Sequence, residues 1–121
     1  MGYVGGYVGP LSGMLNYPSY FRLKDVFLQN KDMTAIKQNY DDWKKVLSSI
    51  DMLGSFTDNH DNQRFLSYCG KGQTQCLSLY KSWTAFTLTS SGIPIIYYGT
   101  EQLFKGGNDP FNREIIWNNL N

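Results

Sequence analysis

The spacing of apolar positions changes repeatedly along the chain, and glycine and proline mark most of the changes. The stretch up to Gly13 is rich in turn formers, and Met14-Leu15-Asn16-Tyr17 reads as a short strand stopped by Pro18. Behind Pro18, a residue suited to a first helical turn, Tyr20, Leu23 and Phe27 recur at helical spacing and predict a short helix. Asp32 stands where it can cap a second, stronger helix. Its stripe of Met33, Ile36, Tyr40, Trp43, Leu47 and Ile50 alternates spacings of three and four. Lys37, Gln38, Asp41, Asp42, Lys44 and Lys45 fall on the opposite face, as on a solvated surface.

Gly54 interrupts the next apolar stretch, 52–56, which reads as a buried strand running into the polar sequence Thr57-Asp58-Asn59-His60-Asp61-Asn62. From Thr74 onward Cys76, Leu79, Tyr80, Trp83 and Phe86 predict a third helix, closed by Ser90-Ser91-Gly92. Residues 93–98 form the clearest strand. They are hydrophobic almost throughout, as expected of a parallel strand buried on both faces, and they end at Gly99. The order is therefore strand, helices, strand, helix, strand, a βαβαβ series. Parallel strands need helical crossovers, so the parent architectures are a doubly wound sheet or a (β/α) barrel. Both present ligands at the C-terminal ends of their strands.

Composition narrows the function classes. The 121 residues carry a net charge of +1, which gives no footprint for a nucleic acid and no acidic tail. Hydrophobic residues make up 41% and aromatics 16%, enough to require a core. The longest apolar run, 93–98, contains Pro94 and falls far short of the roughly 18–20 residues needed to cross a bilayer, so no membrane span is expected. The first residues have neither the basic region nor the apolar stretch of a secretory signal. With Cys69, Cys76 and a single histidine, a Cys/His zinc site is not expected. The two cysteines flank Gly70-Lys71-Gly72 and are either an intraloop disulfide of an oxidising compartment or two ordinary thiols. The glycine clusters at 2–9 and 70–72 lack the spacing and Ser/Thr of a phosphate loop.

Two loops behind predicted strands hold most of the candidate chemistry. In Asp58-Asn59-His60-Asp61 the only histidine lies between two carboxylates. Such a group can bind adjacent sugar hydroxyls or stabilise a developing cation, or it can be a turn in which Asp and Asn cap local backbone. In Gly106-Gly107-Asn108-Asp109-Pro110-Phe111-Asn112-Arg113-Glu114, Asp109 and Arg113 are spaced to pair. The alternative there is a helix start, with Asp109 as cap and Pro110 in the first turn. Trp43 and Trp83 lie on helical stripes and read as core, whereas Tyr97 and Tyr98 either stack on sugar or plug the top of a barrel. Trp117, beyond the last strand, has no assigned place.

At these loops the chain resembles the alpha-amylase family of glycoside hydrolases. Phe56-Thr57-Asp58-Asn59-His60-Asp61 resembles the family's signature after the seventh barrel strand, and Gly92-Ile93-Pro94-Ile95-Ile96-Tyr97-Tyr98-Gly99-Thr100-Glu101-Gln102 looks like the eighth strand and its exit. The 106–114 loop is similar to the one that follows in fungal-type alpha-amylases, and Leu15-Asn16-Tyr17-Pro18 looks like the sixth strand end. The resemblance implies an α/β fold, the C-terminal portion (about strands 6 to 8) of a (β/α)8 TIM barrel, over residues 1–121 with no separate second domain. It implies an enzyme cleaving internal α-1,4-glucosidic bonds of starch or glycogen with retention, using one carboxylate as nucleophile and another as acid/base. Asp61 would be the third acid, orienting the sugar and stabilising the oxocarbenium-like transition state. His60 would bind sugar hydroxyls beside it, and Asp109 and Arg113 would line a neighbouring glucose subsite. Starch or maltooligosaccharide is the implied partner.

The departures also carry information. The family's nucleophile block, of Gly-x-Arg-x-Asp type, and its acid/base glutamate are not found; Arg22-Leu23-Lys24-Asp25 has the wrong spacing and a helical setting. The calcium ligands of the family would likewise lie outside this chain, so no cofactor or metal site is expected within it, and calcium belongs to a longer parent. A closed barrel takes roughly 250 residues. The expectation is a piece of a longer protein that needs the N-terminal part of the barrel, associates through its open edge when alone, and is inactive by itself. Met1 reads as an internal methionine or the start of a truncated gene. The alternatives are a maltase, oligo-1,6-glucosidase or transglycosylase of the same family, or a noncatalytic carbohydrate-binding remnant. The compartment is not fixed by the chain; a secreted parent would suit the cysteine pair.

Overall fold

A computed structural model describes residues 6 and 11–119, so the turn-rich opening read from the sequence lies largely outside the described residues. Strands β1 (Met14–Leu15), β2 (Leu53–Phe56) and β3 (Ile93–Ile95) form a parallel sheet in that order. Helices α1 (Tyr17–Gln29) and α2 (Thr34–Val46) cross from β1 to β2, and α3 (Phe65–Tyr68) and α4 (Gln73–Thr89) cross from β2 to β3. A 3-10 turn, Ile116–Asn119, follows. The βαβαβ order expected from the sequence is the observed one. Leu15 pairs with Gly54 and Gly54 with Ile93, so the three strands are in level register and their exits leave from one edge.

Local chemistry explains the helix ends. The Asn16 side chain accepts from the Ser19 N–H at 3.2 Å and Pro18 occupies the first turn of α1. Asp32 accepts from the Thr34 N–H at 2.8 Å, just outside α2. That helix stops at Val46, short of the expected Ile50. Beyond extended Leu47, Ser49 Oγ both donates to Asp51 Oδ2 at 2.9 Å and accepts from the Asp51 N–H at 3.1 Å, a side-chain turn that competes with further helix. Gly92 has φ +109°, and a Cβ there would lie 2.5 Å from the Leu53 carbonyl oxygen, which is why glycine leads the chain back into the sheet.

The core lies between the sheet and the helices: Tyr20, Leu23 and Val26 of α1, Ile36 of α2, Phe56 of β2, Phe65 of α3, and Tyr80 and Trp83 of α4. Tyr20 stacks on Phe56 and Phe65 on Tyr80, with ring centroids 5.1 and 5.2 Å apart. Trp43 and Trp83 are buried, as their helical stripes required. Strand β3 differs from expectation. It is three residues long rather than 93–98, and all three are exposed; among the described residues β3 ends the strand order, with β2 as its one neighbour. Ile93, Ile95 and Ile96 are thus apolar without cover among the described residues. No helix among those residues is long and apolar enough to cross a membrane.

Candidate functional site

The sequence places Asp58 and Asp61 on either side of one histidine, and the structure sends them in opposite directions. Asp58 is buried, its Oδ1 accepting from the Phe65 N–H and its Oδ2 from the Tyr80 O–H, both at 2.7 Å. Burial pushes its carboxyl above the ordinary aspartate range, against those two hydrogen bonds and the charge of Arg64, which pull it down. It starts α3, a helix the apolar pattern did not reveal, and fastens α4 to the β2 exit. Asp61 faces out. Its Oδ2 accepts from the Tyr17 O–H at 3.0 Å, and its Oδ1 lies 3.3 Å from His60 Nε2. Asn59 completes the turn. Its Nδ2 donates to the Tyr17 hydroxyl oxygen at 3.0 Å, while its Oδ1 accepts from the Asp61 and Asn62 N–H groups at 3.0 and 2.9 Å. The Tyr17 hydroxyl is held above its ordinary value, first by burial and then by its bond to Asp61.

The β3 exit closes onto this turn. Arg113 pairs with Asp109 at 3.0 Å and also reaches the His60 carbonyl oxygen at 3.4 Å. The alternative of a helix starting at Asp109 is not what forms: Phe111 N–H bonds to Asn108 O at 2.7 Å and Arg113 N–H to Pro110 O at 3.1 Å, a pair of tight turns. Asn112 is fully buried and donates through Nδ2 to the carbonyls of His60 and Asn62 at 2.8 and 2.9 Å. Gly106 permits the loop to fold back, since a Cβ there would sit 1.8 Å from the Phe111 carbonyl oxygen. Asp61, His60, Asp109 and Arg113 are thereby gathered on one edge of the sheet by contacts that run from the β1 exit to the β3 exit. Their side chains are 49–59% exposed, so they form an open rim of hydrogen-bonding groups able to accept a polyhydroxylated ligand.

Beneath the rim sits Arg64, with no exposed surface. Its Nε donates to Asn112 O at 3.1 Å and Glu114 Oε2 at 3.0 Å, and one terminal nitrogen donates to Tyr98 O at 2.8 Å. Its guanidinium centre lies 4.0 Å from the Tyr97 ring and 5.0 Å from the Tyr98 ring. The two tyrosines therefore hold a cation, a third use beside the stacking and plugging weighed from the sequence. Tyr17, Arg64, Asn112 and Glu114 were missed. The signal for Tyr17 was its place one residue past a capping asparagine at a strand exit; a buried arginine gives no sequence signal of its own.

Arg22-Leu23-Lys24-Asp25 lies within α1, away from any strand exit, as its helical spacing indicated. Cys69 and Cys76 form a disulfide with Cα atoms 5.9 Å apart, linking the end of α3 to α4. Trp117 falls in the 3-10 turn, largely exposed. Among the described residues no group of three or more His, Cys, Asp or Glu side chains is arranged to hold a metal ion.

Comparison with known proteins identifies the family. The family model for the alpha-amylase catalytic domain matches residues 15–120. The chain is 44% identical over 108 residues to alpha-amylase 1 of Lipomyces kononenkoae, covering 88% of this chain and 16% of that protein. It is 43% identical over 126 residues to the beta/alpha-amylase of Paenibacillus polymyxa, covering 98% of this chain and 10% of that protein. Among solved structures, an alpha-amylase from Malbranchea cinnamomea superposes with a TM-score of 0.86 at 36% identity, over 98% of this chain and 24% of that one. The chain thus spans a quarter or less of the length of these relatives. The family match over residues 15–120, together with these relatives, leads to one statement: the chain belongs to the alpha-amylase family of glycoside hydrolases, whose catalytic domains are (β/α)8 barrels.

Proposed function

We propose that this chain supplies the sixth to eighth strands of an alpha-amylase barrel and that its rim binds starch-type α-1,4-glucan. Asp61 is the transition-state-stabilising acid. Tyr17 donates to one of its oxygens and the His60 ring lies 3.3 Å from the other, so an oriented carboxylate meets the positive charge that develops at the anomeric carbon. His60 presents its ring to the sugar hydroxyls beside that carboxylate, and the Asp109–Arg113 pair receives the next glucose. The nucleophile and the acid/base of a retaining reaction come from another segment, the N-terminal part of the barrel, and calcium, if the assembled enzyme uses it, binds there as well. Without that segment both the covalent and the proton-transfer routes are missing, and the chain alone turns over nothing.

The observation that carries this reading is the run of contacts Tyr17–Asp61–His60, joined through the His60 carbonyl to Arg113 and Asp109, along one parallel strand edge. The test is calorimetry with maltoheptaose alongside release of reducing ends from soluble starch by the purified chain. Saturable binding, weakened at least tenfold in Asp61→Asn, with no starch turnover, is the expected result. Starch turnover that disappears in Asp61→Asn would overturn the division of labour, and no saturable binding would overturn the glucan rim.

A further inference from the structure

The rim residues are exposed and hold one another mainly by single contacts, yet they stand on a buried group that none of their roles requires. We infer that Arg64 is the positioning residue of the rim: it locks the β2 exit to the β3 exit and sets the main chain of His60 through Asn112.

The argument follows the hydrogen bonds outward. The Arg64 N–H donates to Gly106 O at 3.0 Å, tying the start of the β3 loop to the β2 loop. Its Nε divides between the Asn112 carbonyl and Glu114 Oε2, and Glu114 in turn accepts through Oε1 from the Lys105 and Gly106 N–H groups at 2.8 and 2.6 Å. The flat guanidinium is held against the Tyr97 ring and bonded to the Tyr98 carbonyl, so its orientation is over-determined. Arg64 thus fixes the Asn112 backbone from one side. The Asn112 side chain fixes the His60 and Asn62 carbonyls from the other, and the His60 carbonyl also receives Arg113. Two hydrogen-bonded steps join the buried cation to the peptide between His60 and Asp61. Lysine cannot replace it: a point charge on a flexible stem lacks the fork that serves Asn112, Glu114 and Tyr98 together.

The chain has one histidine, so the His60 ring signals in a carbon–proton correlation spectrum report the position of this loop without ambiguity. In Arg64→Lys the His60 signals are expected to move or broaden, while the indole signals of buried Trp43 and Trp83 stay in place, and maltoheptaose binding is expected to weaken at least tenfold. A purely structural arginine would shift the thermal midpoint and leave the His60 signals of the folded protein unchanged. Should Arg64→Lys fail to fold, Asn112→Ala keeps the guanidinium and its aromatic contacts, removes only the second step, and carries the same expectation. His60 signals superposing on wild type in whichever variant folds would overturn the inference. The binding arm rests on the glucan reading above and the spectroscopic arm does not: wild-type chain that ignores maltoheptaose while Arg64→Lys still displaces His60 sinks that reading and leaves the positioning role standing.

Discussion

Replacing Asp58 tests most directly how the β2 exit is held. Asp58→Ala strands two buried donors, the Phe65 N–H and the Tyr80 O–H, each bonded at 2.7 Å in the wild type. Leaving a buried donor unpaired costs about 1–3 kcal/mol. Part of that is recovered because the mutation also removes a carboxyl whose ionised form burial disfavours. The net expectation is about 2–4 kcal/mol, which at roughly 2 kcal/mol per molar urea lowers the unfolding midpoint by about 1–2 M. Asp58→Asn keeps an acceptor for the Phe65 N–H and lets the tyrosine hydroxyl reverse its role, so its loss is about 1 kcal/mol. The pH dependence separates the two causes. A carboxyl raised on folding binds more protons folded than unfolded, so its contribution is full below the ordinary aspartate value of about 3.9 and is lost as pH rises through the folded value. Urea titrations followed by tryptophan fluorescence at steps from about pH 3.5 to 7 should therefore show the wild type losing stability relative to Asp58→Asn as pH rises. A midpoint drop under about 0.3 M for Asp58→Ala, or a wild-type to Asp58→Asn difference that is flat with pH, would refute the buried-carboxylate account.

Two other substitutions probe the frame. Removing the Cys69–Cys76 bridge, by reduction or by replacing both residues with serine, should cost about 2 kcal/mol in a urea titration, as expected for a loop closed at a sequence separation of 7; a change under about 0.5 kcal/mol would mean the turn is held by its packing alone. Gly106→Ala places a Cβ 1.8 Å from the Phe111 carbonyl and disturbs the residue that both donates to Glu114 and accepts from Arg64, so a loss of about 2 kcal/mol or more is expected, with a parallel loss of maltoheptaose affinity. Wild-type stability in that variant would show the loop has another path.

The βαβαβ order was legible because Trp43, Trp83 and Tyr80 sit on helical stripes and the two later strands are short apolar runs between glycines and polar turns. The end of α2 was not, because apolar spacing continues to Ile50 while the serine–aspartate turn that stops the helix carries no periodicity. The length and burial of β3 were misjudged for a different reason: a run such as 93–98 records a strand meant to be covered on both faces, and the residues described here supply one neighbour. The sequence put His60 and Asp61 in the loop behind the second strand and Asp109 and Arg113 in the loop behind the third, which is where they lie. It could not tell the inward Asp58 from the outward Asp61, since both are acids in the same polar run and only the packing of Phe65 and Tyr80 separates them.

That separation has a bearing on how variation in this loop should be interpreted. Substitutions at position 58 will be tolerated according to the size and donors of a closed niche; those at position 61 meet solvent and, on the proposed function, the ligand's own demand for charge. Engineers seeking altered selectivity therefore have a face to redesign and, three residues away, a foundation to leave alone.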